Sequence, residues 1–258
     1  MAENTVYLVT GANRGNLLTT QKGIGLSLSS LLASRPNSVV IATSRRPMRA
    51  IPIPTHPTSS YITLLLDETQ PSINSSTLIS RLKELGITHL DVVIANAGGS
   101  SGFKNVLETK DEEAMRDFEV NAVGLVRLFG GVWALLERQG TVGERDTGKF
   151  VVIGSSVGSI GCLEEESFPG VAYGMSKAAA NWFAKKVSVE FKGRLSVAVV
   201  HPGYGLGTGN ALTTNRWVKT SLGQELADAV NFPEPPLSVE ESAKGVLEQV
   251  CERWRSMA

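Results

Sequence analysis

Cysteine is nearly missing from this chain: Cys162 and Cys251 are the two among 258 residues. Two cysteines cannot build a disulfide framework, and without a CxxC or HExxH pattern no motif offers a metal site. Both thiols are expected to be inert, in a reducing compartment. A net charge is missing as well, 25 basic residues being balanced by 25 acidic ones, so overall charge gives no support to a nucleic-acid partner. Long apolar runs are absent, none approaching the ~20 residues of a membrane-spanning helix. The opening Met1-Ala2-Glu3-Asn4 meets the first apolar segment without a basic region or processing site. The expectation is a cytoplasmic protein with no membrane partner. What is present, 42% hydrophobic and 19% charged residues, suits a globular chain with one large core, a single domain over residues 1–258.

Hydrophobic patterning alternates between short β-rich runs and helical stretches. Thr5 to Thr10, Ser38 to Ser44, Tyr61 to Leu66, Asp91 to Ala95, Lys149 to Gly154 and Leu195 to His201 read as strands. The unbroken apolar character of several of them suits a parallel sheet covered on both faces. Between them, helices are expected over Ile24 to Ala33, Ile73 to Leu85, Glu112 to Gln139, Ala172 to Phe191 and Glu240 to Arg253. Pro47 to Ser60 reads as a surface loop, and 203–236 as an irregular loop-and-helix excursion on the substrate side. The alternation predicts an α/β fold: a Rossmann-type doubly wound parallel sheet in three α/β/α layers.

Several residues sit where such a sheet does chemistry, at the carboxyl ends of its strands. Gly11, Gly15, Gly23 and Gly25 lie between the first strand and first helix, a place for backbone amides and a helix N-terminus to hold a phosphate. The second strand ends at Arg45 and Arg46, where selection of NAD usually requires an acidic residue. With Arg14, these guanidinium groups suit a 2′-phosphate and favour NADPH over NADH. As plain solvated charges they would carry no such preference. Ser155 and Ser156 close the fifth strand. Tyr173 and Lys177 are four apart, one helical turn above each other on one face. An ammonium beside a phenol favours the phenolate, lowering a reference pKa of about 10 toward a working acid–base range. A lone YxxxK also occurs on solvated surface helices, where solubility explains it. Asn121, inside the long helical region, either bonds locally or serves a purpose.

Taken together these motifs resemble the short-chain dehydrogenase/reductase family over nearly the whole chain. The family's TGxxxGxG fingerprint appears as Thr10-Gly11-Ala12-Asn13-Arg14-Gly15, interrupted, and then Gly23-Ile24-Gly25. Its NNAG appears as Asn96-Ala97-Gly98 after Ala95. Its adenine-contacting acid falls on Asp67, its helix asparagine on Asn121 after Val120, and its serine on Ser156. YxxxK falls on Tyr173 and Lys177, the PG after strand six on Pro202-Gly203, and the nicotinamide-contacting threonine on Thr208. The resemblance implies a catalytic set of Asn121, Ser156, Tyr173 and Lys177. It implies a cofactor site from Gly11, Asn13, Arg14, Gly15, Gly23, Ile24, Gly25, Arg45, Asp67, Asn96, Ala97, Gly98, Val120, Tyr173, Lys177, Pro202, Gly203 and Thr208. Among subgroups, the TGANRG opening, the HPG turn and the FPEPPLSVEESAKGVL end are similar to fungal ketoreductases of the norsolorinic acid reductase type and to carbonyl reductases.

Two departures matter. About eight extra residues, Asn16 to Lys22 with one glycine, interrupt the glycine loop. No strand follows the last helix, so six strands are expected where the family has seven, with a newly exposed sheet edge. The implied activity is NADPH-dependent reduction of a ketone or aldehyde, possible substrates being aromatic or polyketide-like carbonyls. Gly102-Phe103, Phe168-Pro169, Tyr204 and Leu212 to Trp217 are candidate walls of the pocket, or ordinary core. The other reading is a catalytically weak or inactive dinucleotide-binding homologue, motivated by the insertion and the absent strand. The resemblance also implies a homodimer or homotetramer through the helices near Asn121 and Tyr173.

Overall fold

The structure is a computed structural model. It describes residues 4–12, 23–47, 53–70, 75–137, 147–165, 167–203 and 217–251. Six strands, β1 (Thr5–Val9), β2 (Ser38–Ser44), β3 (Ser60–Leu65), β4 (Val92–Ala95), β5 (Gly148–Ile153) and β6 (Leu195–Val200), form one sheet. Their order is β3-β2-β1-β4-β5-β6 and every pairing is parallel. The crossover from β1 to β2 runs through α1 (Ile24–Ala33), and α2 (Ser75–Glu84) carries the chain from β3 across to β4. That from β4 to β5 runs through α3 (Asp111–Phe118) and α4 (Gly124–Leu136), and that from β5 to β6 through α5 (Val171–Glu190). No helix among the described residues lies between β2 and β3. Helices α6 (Ser221–Ala229) and α7 (Val239–Cys251) follow the last strand. The expected three-layer, six-stranded Rossmann-type architecture is what the chain adopts.

Alternation along the strands feeds two cores. Val6, Leu8, Phe150 and Val152 point to the layer of α2, α4 and α5, where Phe129 packs edge-on against Phe150 at 5.2 Å. Tyr7, Val9, Val151 and Ile153 point the other way, to Leu28 and Leu32 of α1 and Val246, Leu247 and Val250 of α7. Both faces being covered explains why the strands read as continuous apolar runs. The order reverses between β1 and β4, which places a crevice at their carboxyl ends.

One expectation about elements is corrected. The helix expected over Glu112 to Gln139 is three pieces: α3, a π-helical turn over Glu119–Val123, and α4, which stops at Leu136. Within the described part of the 203–236 excursion lies α6, capped by Thr220, whose hydroxyl accepts from Gly223 N at 3.0 Å. The run Asp111–Leu136 is long and apolar enough to cross a bilayer, yet Leu125, Leu128, Phe129, Val132 and Leu136 are buried against the sheet.

Candidate active site

Helix α5 enters at Gly170, whose φ of +130° is open to glycine and where a Cβ would meet the Phe103 ring at 2.9 Å. Gly170 N and Val171 N donate to Lys104 O at 2.8 and 3.2 Å, seating the helix start on the loop after β4. Tyr173 and Lys177 follow on one face, both buried. A buried ammonium is costly unless its protons find acceptors. Lys177 Nζ donates to Ile153 O, at the end of β5, at 2.8 Å, and lies 5.7 Å from the Tyr173 ring centroid. Phe103 packs edge-on against Tyr173 at 5.8 Å.

The π turn presents Asn121 to the same place. Its Nδ2 donates to Gly99 O at 2.7 Å and to Ser176 Oγ at 2.8 Å, and its Oδ1 accepts from Gly99 N at 2.8 Å. Ser176 Oγ passes a hydrogen bond on to Tyr173 O at 2.7 Å. A Cβ on Gly98 would lie 3.1 Å from Asn121 Oδ1 and 3.3 Å from Lys177 Nζ. The π turn is the local distortion that turns an interior helix residue toward a loop backbone, a recurrent device at functional sites. Two further side chains of α3 hold the same loop: Asp117 Oδ1 accepts from Ser101 Oγ at 2.8 Å, and Glu113 Oε1 from Lys104 Nζ at 2.5 Å. Burial pushes the Asp117 carboxyl above its usual range, against the Ser101 hydrogen bonds.

Ser156 opens a short 3₁₀ turn, Ser156–Gly158, and is half-buried. The turn lies flat on α5. A Cβ on Gly158 would stand 2.6 Å from Lys177 Cβ and 2.7 Å from its carbonyl carbon, and one on Gly174 3.0 Å from Val157 O. Asn181 Nδ2 donates to Gly158 O at 3.2 Å. Serine, tyrosine, lysine and asparagine are thus gathered by backbone contacts around one helix.

The other half of the crevice is built from glycine and Asn96. Gly11 has φ +65°, and a Cβ there would come within 2.9 Å of Ala97 Cα. Asn96 Nδ2 donates to Thr10 O at 2.9 Å and Gly11 O at 3.3 Å, while Ala97 N donates to Thr10 Oγ1 at 2.9 Å. Asn96 therefore ties β4 to β1 across the switch point. Gly25 lies so close that a Cβ would be 2.7 Å from Gly11 O. Gly23 precedes α1 with extended backbone and no side-chain cap, and the first turn of α1 holds no acidic residue, so the positive end of its dipole is not neutralised there. Val120 and Ile24 are half-buried, and Gly203 is buried. Pro202 O accepts from Ser242 Oγ of α7 at 2.8 Å.

The short chain dehydrogenase family pattern matches residues 5–219. The chain belongs to the short-chain dehydrogenase family. This member is 30% identical over 255 residues to a norsolorinic acid ketoreductase of Aspergillus parasiticus, covering 97% of this chain and 84% of that one. It is 29% identical over 260 residues to a short-chain dehydrogenase of Pyricularia oryzae, covering 99% and 93%. The solved NADPH-bound carbonyl reductase from chicken fatty liver shares the fold at a TM-score of 0.72, with 23% identity over 96% of this chain and 87% of that one.

In this short-chain dehydrogenase Arg45 and Arg46 are exposed just past β2, and Asp67 is half-buried just past β3. Partial burial opposes ionisation of Asp67, but hydrogen bonds from Thr69 N at 3.1 Å and Thr69 Oγ1 at 2.7 Å, with the Arg45 charge, hold its carboxyl below the usual range. Asn13, Arg14, Gly15, Tyr204, Thr208 and Leu212 to Asn215 with Arg216 lie outside the described residues. Among the described residues no group of three His, Cys, Asp or Glu could hold a metal ion. The sequence reading missed Ser176, which links Asn121 to α5, and Asn181. Both share helical spacing with Tyr173 and Lys177, a clue available from the pattern alone. It also missed His201, where burial and the Lys177 charge push the imidazole down to about 4.

Proposed function

We propose that this short-chain dehydrogenase reduces a ketone or aldehyde to the alcohol with NADPH. The single observation carrying this reading is the buried Lys177 ammonium, held by Ile153 O at 2.8 Å under the Tyr173 ring, with Asn121 and Ser156 gathered beside it. The residues fit a dinucleotide: Gly11 and Gly25 let the end of β1, the start of α1 and the Asn96-Ala97 segment close on one another as a glycine-lined phosphate turn requires, and Gly98 passes close against Asn121 and Lys177. When bound, the nicotinamide supplies the hydride to the carbonyl carbon. Tyr173 donates the proton to the alkoxide oxygen that develops, and Ser156 hydrogen-bonds the same oxygen. The Lys177 ammonium stabilises the phenolate left on Tyr173 and holds the ribose hydroxyls. Asn121 keeps the loop at Gly99 in place and orders the water through which Lys177 is reprotonated.

Arg45 supports NADPH over NADH, since no acidic side chain ends β2 and a guanidinium suits a 2′-phosphate. An aromatic or polyketide-like substrate is supported by the likeness to the norsolorinic acid ketoreductase and by two aromatic groups near α5. Phe103 leans on Tyr173, and Phe168, Trp217 and Phe232 stack edge-on at 5.1 and 5.5 Å. A homodimer or homotetramer belongs to the same proposal. Helix α5 exposes Met175, Trp182 and Val189 at seven-residue intervals, an apolar stripe suited to a second copy; a sedimentation profile of monomer alone would remove it. A cytoplasmic location is proposed with it, to be read from a fluorescent fusion.

The test is a fluorescence titration with NADPH and NADH, followed by turnover of an aromatic ketone panel by wild type and Tyr173→Phe. NADPH should bind more tightly than NADH, and Tyr173→Phe should lose about 10²-fold or more in kcat. Retention of full activity by Tyr173→Phe would sink the mechanism. NADPH binding without turnover by wild type would favour the weak or inactive homologue.

A further inference from the structure

Arg127 is on α4, six residues beyond Asn121, and is not among the residues that the family resemblance singles out. Its Nη1 lies within hydrogen-bond distance of three oxygens: Glu68 O at 3.2 Å, Thr69 O at 3.1 Å and Glu119 Oε1 at 2.5 Å. Two of these belong to the backbone just past β3, and the third belongs to the π turn. Thr69 is the residue whose amide and hydroxyl hold the Asp67 carboxylate. A chain of hydrogen bonds therefore runs from Arg127 through Thr69 to Asp67.

The surrounding packing supports the same connection. Glu68 is buried, and a Cβ on Gly124 would lie 3.3 Å from both Glu68 Cβ and Glu119 O. The Asp67–Thr69 loop thus rests flush on the joint between the π turn and α4, where a side chain at Gly124 would press against it. The chemistry also calls for arginine. The three oxygens converge on the one nitrogen Nη1, whose two N–H groups are shared among them. Nη1 stands one bond farther along its side chain than a lysine ammonium does, so a lysine falls short of the loop. An ion pair between Glu119 and Arg127 alone would leave the loop out.

We infer that Arg127 is a positioning residue for the adenosine end of the cofactor site: it fixes the loop carrying Asp67 onto the helix segment that carries Asn121. The inference rests on the dinucleotide reading above, in which Asp67 faces the adenosine half. Arg127 itself touches no ligand in this scheme and acts through Thr69. One rigid joint then serves both ends of the crevice, the π turn holding Asn121 on one side and the Asp67 loop on the other.

The experiment is a double-mutant cycle on the full chain, with adenosine 2′,5′-bisphosphate as the probe and calorimetry as the readout. Arg127→Ala should raise the Kd about ten-fold in the wild-type background and less than about two-fold in the Asp67→Ala background. General loosening of the fold would weaken the probe equally in both backgrounds, and that result, or an unchanged Kd in both, overturns the inference. Arg127→Lys keeps the charge facing Glu119 and guards against loss of folding; it should recover only part of the affinity, and full recovery would reduce Arg127 to an ion-pair partner and also overturn it. Failure of the wild type to bind either NADPH or the probe would overturn the dinucleotide reading first and this inference with it, whereas wild-type binding with equal losses overturns the inference alone.

Discussion

At the scale of single residues, the site rests on two polar groups taken out of water, Lys177 and Asn121, both bonded to backbone at the ends of β5 and β4. This is what separates them from a surface YxxxK, since an exposed pair would need no such acceptors. His201 answers to the same physics from the opposite side, because burial and the Lys177 charge favour its neutral form and bring it from 6.5 to about 4. The folded value lies below the unfolded one, so between them the unfolded chain binds a proton that the folded chain refuses. Stability is therefore unaffected above about pH 6.5 and falls as pH drops toward about 4, by at most about 3 kcal/mol for this group. Urea midpoints across that window should fall in wild type and fall less in His201→Gln. Equal slopes would mean that His201 does not contribute.

At the scale of elements, the decisive features are joints. The π turn between α3 and α4 was invisible in the sequence because Glu119 to Val123 holds neither proline nor glycine, and its residues suit an ordinary helix. Tertiary demand sets it: Asn121 must reach both Gly99 and Ser176. The other joint, the Ser156–Gly158 turn on α5, depends on the absence of a side chain. In Gly158→Ala the new methyl would meet Lys177 Cβ at 2.6 Å and Lys177 backbone at 2.7 Å, so turn and helix must part. The expected outcome is about a 10-fold or larger drop in kcat with NADPH affinity much less affected, since the distortion displaces Ser156 from Tyr173. Unchanged kcat in a folded Gly158→Ala would show that the serine does not depend on this contact.

At the scale of the molecule, a six-stranded parallel sheet separates two cores, and both must be intact for the strand ends to line up. Phe150 sits fully buried in β5 with Phe129 against it. Phe150→Ala should lower unfolding free energy by about 3–5 kcal/mol, read from the urea midpoint at constant slope. A loss under about 1 kcal/mol would mean that the layer collapses to refill the space. The sheet order also explains why residues far apart in the chain meet. Gly11, Asn96 and Ser156 follow strands β1, β4 and β5, which are adjacent in space with parallel direction.

The fold class and the six strands were determined by the sequence alone, because buried parallel strands are written in local patterns, as is the helical spacing that sets Tyr173 and Lys177 on one face; Asn121 and Ser156 were singled out only through the family resemblance. The pairings that make those residues a site were decided by the tertiary structure. Ile153 O beneath Lys177, Ser176 between Asn121 and Tyr173, and Arg127 on the Asp67 loop join segments 24 to 59 residues apart. Backbone carbonyls carry no side-chain identity, so no motif records them. Their placement follows from which strand ends lie together and how closely glycine lets them approach.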